Sequence, residues 1–296
     1  VLTASAALSS RRLTDAGAAP ELVAWVRFAV PAVCLSGLVR RADWTSAERR
    51  RAGWWALASG VVLAVGWTSF SRAVAVAPVP DVAVVYASFP LFTLLALRLA
   101  FGVRPSAPQV VGAALAVAGA AVALGVSADV PQVAWLAPAA FGFSIAILTE
   151  RLTALAPMER LAVVATGAAV GLGPLMIGTD AVRTLPRTPT DAVWLIAVGV
   201  GAALVPMALY SVAAPSIGGA AAAVAGAVEL PAMLVLAAVF LAEPLTPSHI
   251  AGTAIITLAV AVGCRRTASP QQVQGSRSHL GQPRAKRSTA SLRSIP

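Results

Sequence analysis

Charge is scarce in this sequence. Asp, Glu, Lys and Arg make up 11% of it, against about 25% in soluble domains, while 58% of residues are apolar and the mean hydropathy is +0.81. So few charges cannot furnish a water-facing exterior, and the 296 residues read as a chain solvated by lipid. Cysteine is almost missing. Cys34 and Cys264 lie in or at the end of apolar runs, with no CxxC or Cys/His spacing, so no zinc site is expected. Histidine is confined to His249 and His279, each isolated in the sequence, which argues against a metal centre or a Ser-His-Asp arrangement. There is no GxxxxGK[ST] loop for nucleotide phosphates, and no cofactor is expected.

Net charge is +10, yet Arg265, Arg266, Arg277, Arg284, Lys286, Arg287 and Arg293 crowd into the carboxy-terminal segment. Nucleic-acid binding would need a basic face on a soluble module, and none is visible. Residues 267–296 are rich in Ser, Gln, Pro and Arg and nearly free of large apolar groups. Such a segment cannot repay ordering entropy. It reads as a disordered basic tail, 265–296, beside the anionic inner leaflet.

A helix needs roughly 20 mostly apolar residues to cross the hydrocarbon layer. Nine such runs are present, at 22–39, 53–76, 80–101, 108–126, 132–149, 160–178, 192–214, 219–241 and 248–264. Ahead of them, 1–9 is apolar but too short to span. A chain opening with Val1 inside an apolar stretch reads as the end of a longer first helix, so the runs are numbered as spans 2 to 10 of a ten-span design. With the carboxy terminus inside, the inner loops hold Arg40, Arg41, Arg49, Arg50, Arg51, Arg104, Arg151 and Arg160, and the outer loops only Arg11, Arg12, Arg183 and Arg187. That bias predicts an inner-membrane protein with a cytoplasmic carboxy terminus. Trp44, Trp54 and Trp55 mark the inner interface and Trp25, Trp135 and Trp194 the outer one, while Trp67 falls inside a span.

Tyr86-Ala-Ser-Phe-Pro90 and Ala227-Val-Glu-Leu-Pro231 resemble each other at an offset of about 141 residues, and Gly112 and Gly252 keep nearly the same offset. Copies over 1–126 and 132–264 would hold five spans each. An odd number of crossings inverts the second copy, as in transporters whose interrupted helices shape a midplane site. Pro90 and Pro231 are the matching interruptions, each freeing a carbonyl where unsatisfied groups are costly.

Intramembrane polar residues need an explanation. Glu229 lies about ten residues into span 9 and reads as a coupling or substrate-binding carboxyl, against a packing role. Arg27 and Arg72, near the outer ends of spans 2 and 3, either snorkel to headgroups or draw anionic solutes to a vestibule. Tyr86, Tyr210 and Trp67 are amphipathic groups within spans, suited to a solute path or to ordinary packing.

Glu229-Leu230-Pro231, then Phe240-Leu241-Ala242-Glu243-Pro244-Leu245-Thr246-Pro247 and Gly252, with Val26-Arg27-Phe28 and Ser71-Arg72-Ala73-Val74, resemble the drug/metabolite transporter superfamily and its EamA-type ten-helix members. The likeness runs over Val1 to Cys264. Gly102-Val103 stands where the family usually has a glutamate, Ala242-Glu243 where it has Gly-Glu, and Glu229 lies two residues before the proline instead of one. The resemblance implies secondary transport, often export, of small metabolites such as amino acids, without ATP hydrolysis.

The expectation is therefore an all-α integral membrane carrier, not an enzyme. It comprises two inverted five-helix repeats, with spans 3, 4, 8 and 9 lining a cavity and Glu229 offering proton coupling. Its partners are a small-molecule solute and membrane lipid, and a homodimer is compatible with the sequence. Glu243 is expected to cap the amides of span 10, whose start reads Thr246-Pro247. The rival readings are a membrane-embedded enzyme on lipid-like substrates, which would cluster Asp, His or Lys at one face, and a non-transporting scaffold or sensor.

Overall fold

The computed structural model describes residues 5–86, 89–102, 106–124, 137–149, 154–185, 188–217 and 229–263. Among them the backbone is helical with no strands, as lipid demands of a segment that must satisfy its own amides. The helices are α1 (Ser5–Asp15), α2 (Pro20–Cys34), α3 (Ser36–Arg41), α4 (Ala47–Val76), α5 (Val79–Tyr86), α6 (Phe89–Phe101), α7 (Ala107–Leu124), α8 (Ala137–Leu148), α9 (Pro157–Gly178), α10 (Pro189–Ile196), α11 (Val205–Ile217), α12 (Glu229–Phe240) and α13 (Pro247–Gly263). An eight-residue π segment, Ala197–Leu204, joins α10 to α11. The chain divides after Arg265. The tail beyond lies outside the described residues, as do Arg104, Arg151 and Trp135.

Local chemistry sets the helix starts. Pro20, Pro157, Pro189 and Pro247 occupy first-turn positions, where the missing N–H is harmless. The Ser46 hydroxyl accepts from the Arg49 amide to open α4, and Glu159 takes the Ala156 amide to open α9. Ala47–Val76, Pro157–Gly178 and Pro189–Ala213 are long and apolar enough to cross a membrane.

Helix α4 is the packing axis, touching α9, α8, α2 and α1. Small residues let the backbones close. A methyl at Gly60 would collide with the Val164 carbonyl of α9, and one at Gly167 with the Leu57 carbonyl of α4. Gly119 and Gly252 bring α7 and α13 together in the same way. Phe28, Leu63, Phe70, Val74 and Phe89 fill the core, while Val33, Leu99, Ile177, Val239 and Leu258 are exposed on the exterior, as lipid-facing groups should be.

Several boundaries differ from the sequence reading. The helix at the start continues through Arg11 and Arg12 to Asp15, so these arginines are not in a loop. Arg11 donates to the carbonyls of Val74 and Ala77, at 2.9 and 3.2 Å, satisfying the open end of α4. Span 2 is interrupted at Leu35, past Pro31 inside α2. Span 4 is described as α5 and α6, with 87–88 outside the described residues.

The interactions define two ends of the bundle. At one, Arg49 of α4 donates to Glu159 at 2.8 Å and to the Ala154 carbonyl at 3.1 Å. At the other, where α1 turns into α2, Arg72 meets Glu21 at 2.7 Å and the Ala19 amide meets the Thr184 hydroxyl at 2.9 Å. Glu243 also belongs here, but not to span 10. Its carboxylate accepts from the Val79 amide at 2.9 Å and so caps α5, because Ala242, at φ 54°, turns the chain toward it. Burial raises the Glu243 carboxyl above its ordinary 4.5, partly opposed by that amide. Nor is His249 isolated in space. Its Nδ1 accepts from the Thr246 amide at 3.2 Å, which assigns the proton to Nε2, 2.9 Å from Asp81. The start of α13 is capped by this pair and by the Thr246 hydroxyl, which accepts from the His249 amide.

Candidate functional site

Between the two ends a cavity opens among the helices, with about 80 Å³ open to the centre of a water-sized sphere. Its polar lining is Arg27 of α2, Tyr86 of α5, Thr149, Arg160 of α9, Tyr210 and Ser211 of α11 and Glu229 of α12. Leu63, Trp67, Phe143, Val164 and Met207 form apolar wall. Spans 3, 4, 8 and 9 contribute, as the sequence suggested. Spans 2, 6 and 7 contribute as well, and with spans 2 and 7 come two arginines.

Backbone irregularities aim these side chains inward. Pro206 has no amide hydrogen and its ring crowds the preceding turn. The chain accommodates it by widening to i→i+5 bonding over Ala197–Leu204, and Pro206, Met207, Tyr210 and Ser211 then all line the cavity. Pro231 lies within α12, directly after Glu229 and Leu230, and Pro90 within α6. Pro231 is not among the described residues that line the cavity.

Arg27 does not snorkel. It is 4% exposed, and its guanidinium carbon lies 3.6 Å from the Trp67 ring centroid, a cation–π stack in a desolvated setting. Among the described residues, neither Nε nor Nη1 of Arg27 has a hydrogen-bond acceptor, and the Tyr86 hydroxyl has no partner. Glu229 is within electrostatic reach of both, and Tyr210 of Tyr86. Tyr86 is held rigidly, ringed by Phe70, Phe89 and Phe143 at centroid distances of 5.4–5.6 Å.

The structure thus brings together Arg27, Trp67, Tyr86, Tyr210 and Glu229 and leaves Arg72 out, since Arg72 pairs with Glu21 at the α1–α2 end. Sequence reasoning missed Arg160. Counted there as a loop charge, it is 3% exposed in the first turn of α9 and lines the cavity. Its signal was the Pro157 helix start, which places residue 160 inside the helix. The Ser144 hydroxyl is buried too but bonds the carbonyls of Ala140 and Phe89. No group of three or more potential metal ligands occurs among the described residues.

Comparison with known proteins agrees with this picture. Residues 1–125 match the EamA-like transporter family, so the likeness to the drug/metabolite transporter superfamily holds over that part, and it agrees with the three helices long and apolar enough to cross a membrane. No curated protein matches the chain. A solved structure titled only as the crystal structure of a protein aligns with TM-score 0.62 at 18% identity, over 90% of this chain and 98% of the other. At that identity the likeness shows the fold alone, and it extends well past residue 125.

Proposed function

We propose that this chain is a secondary carrier that moves small metabolites, amino acids or related compounds, across the inner membrane by alternating access. The observation that carries the reading is the convergence of Arg27, Tyr86, Tyr210 and Glu229 on one cavity inside a lipid-solvated helical bundle. Ionisable groups are kept in such places for a solute or ion path.

The packing supports two inverted five-span halves. Helix pairs α2–α9, α5–α12 and α7–α13 each join a span to its repeat mate, 2 to 7, 4 to 9 and 5 to 10. Other contacts come as exchanged pairs, as a two-fold axis in the membrane plane requires. Contact of α4 with α9 (3 with 7) is matched by the π segment with α2 (8 with 2), and α4 with α8 (3 with 6) by the π segment with α1 (8 with 1). Likewise α6 with α8 (4 with 6) is matched by α12 with α1 (9 with 1). Halves related this way can rock about a shared cavity. We assign the α1–α2 end to the outside and the Arg49–Glu159 end to the cytoplasm, from the basic bias of the loops. Transport is outward in this reading, with Glu229 as the coupling group that exchanges a proton with the solute cycle.

The test is solute-dependent proton flux in proteoliposomes over an amino-acid and metabolite panel, with Glu229→Gln beside the parent chain. A solute-driven flux that the folded variant loses supports the reading. Equal flux in both removes Glu229 from coupling, and no flux with any solute sinks the carrier assignment.

A further inference from the structure

We infer that the cavity holds its solute by a carboxylate, with the Arg27 guanidinium and the Tyr86 hydroxyl as the anion subsite and the apolar wall receiving the rest of a monocarboxylate. This names the substrate class of the carrier proposed above and rests on that reading.

Three observations converge on it. The first is incomplete bonding. Leaving a buried donor without an acceptor costs about 1–3 kcal/mol, and more for a charged group. Here Nε and Nη1 of a guanidinium 4% exposed and the hydroxyl of a tyrosine 4% exposed all lack partners among the described residues, and both side chains line one cavity. Nε and Nη1 lie on different edges of the guanidinium plane, so each two-donor edge keeps an open N–H. A carboxylate oxygen accepts from such an N–H in a charge-assisted bond, and a phenolic O–H is a natural further donor.

The second is orientation. A free arginine side chain samples many rotamers, but stacking on Trp67 at 3.6 Å fixes the guanidinium plane against a ring that is itself 6% exposed. The ring covers one side of the guanidinium and leaves its open N–H groups to a solute. The aromatic ring around Tyr86 fixes the hydroxyl in turn. Preorganised donors lose little entropy on binding.

The third is the wall. Beyond the anion subsite, Leu63, Phe143, Val164 and Met207 present only carbon and sulfur, which suits an apolar or aromatic body.

The experiment is calorimetric titration of the full chain in lipid nanodiscs, against empty discs, with 3-phenylpropionate and its neutral isostere 3-phenylpropionamide. The carboxylate is expected to bind about tenfold or more tightly than the amide, the scale on which polar sites reject a mismatched partner. Arg27→Gln should remove that preference and Arg27→Lys should restore part of it. Equal binding of acid and amide to the parent chain, no binding of either, or a preference that survives in Arg27→Gln each overturns the proposal. The acid–amide comparison needs no variant, so misfolding cannot obscure it. Should the proteoliposomes show Glu229-dependent flux without any carboxylate preference here, the carrier reading stands and the subsite falls. Carboxylate binding without flux of any solute gives the reverse.

Discussion

Arg72 and Arg27 are both arginines within apolar helices, and the structure uses them in opposite ways. Arg72 is closed on Glu21 at 2.7 Å, in a region where Arg11 caps α4, Glu243 caps α5 and Asp81 holds His249. Five residues earlier on α4, Trp67 carries Arg27, whose Nε and Nη1 have no acceptor among the described residues. The first region spends its polar groups on joining helices. The second keeps donors open inside a cavity, which natural cores avoid unless a function requires it. Stability and binding are thus divided along one helix, and each region responds to substitution with its own sign.

The largest effect is expected where the helix carrying both regions meets α9. Gly60→Val places carbon against the Val164 carbonyl, and backbone cannot yield as a side chain does. The loss should be about 3 kcal/mol, read as a lower unfolding midpoint in nanodiscs with solute binding lost alongside. Retained binding would show that the α4–α9 seam does not shape the cavity. Next comes Glu21→Gln at the paired end. It weakens a short ion pair whose carboxylate is buried, and a loss of about 1–2 kcal/mol is expected, with 3-phenylpropionate affinity unchanged. A drop in affinity would merge the two regions and undo the comparison.

The smallest effect is a pH slope. Because burial raises the Glu243 carboxyl, the folded chain keeps that proton to higher pH than the unfolded chain does. Between the unfolded value near 4.5 and the raised folded value, the folded state binds more protons, so this group's contribution to stability falls as pH rises. Glu243→Gln removes the slope, and its amide oxygen can still accept from Val79. Unfolding midpoints measured from pH 4 to pH 8 should be flatter for the variant by a small margin, and parallel curves would place the effect elsewhere.

Much of the helix layout was legible because apolar run length is set by bilayer thickness, and spans 3, 5, 7 and 10 lie within a few residues of α4, α7, α9 and α13. Their partners were not. Glu243 was expected to serve the helix that follows it, since capping is ordinarily local, but the left-handed turn at Ala242 sends it to Val79, 164 residues away. His249 was invisible as a paired group for the same reason, its partner Asp81 being 168 positions distant. At the cavity, Glu229, Tyr86, Tyr210 and Trp67 stood out as polar or amphipathic groups inside apolar runs. Choosing between Arg27 and Arg72 needed rotational information that a span boundary uncertain by a few residues cannot carry, because one residue turns a helix by about 100°. Arg160 was hidden by the loop-charge count, which treats any arginine near a span end as an anchor.

The most direct test of the division between joined and open polar groups is the unfolding midpoint of Tyr86→Phe against the parent chain, measured as 3-phenylpropionate is titrated in. Removing a buried hydroxyl that has no partner among the described residues should raise the midpoint of the solute-free protein, by about 1 kcal/mol of stability, and should shrink the further rise that the carboxylate produces. A lower midpoint with an undiminished carboxylate shift would contradict the account, because Tyr86 would then be one more structural group and the cavity would hold no donor in reserve.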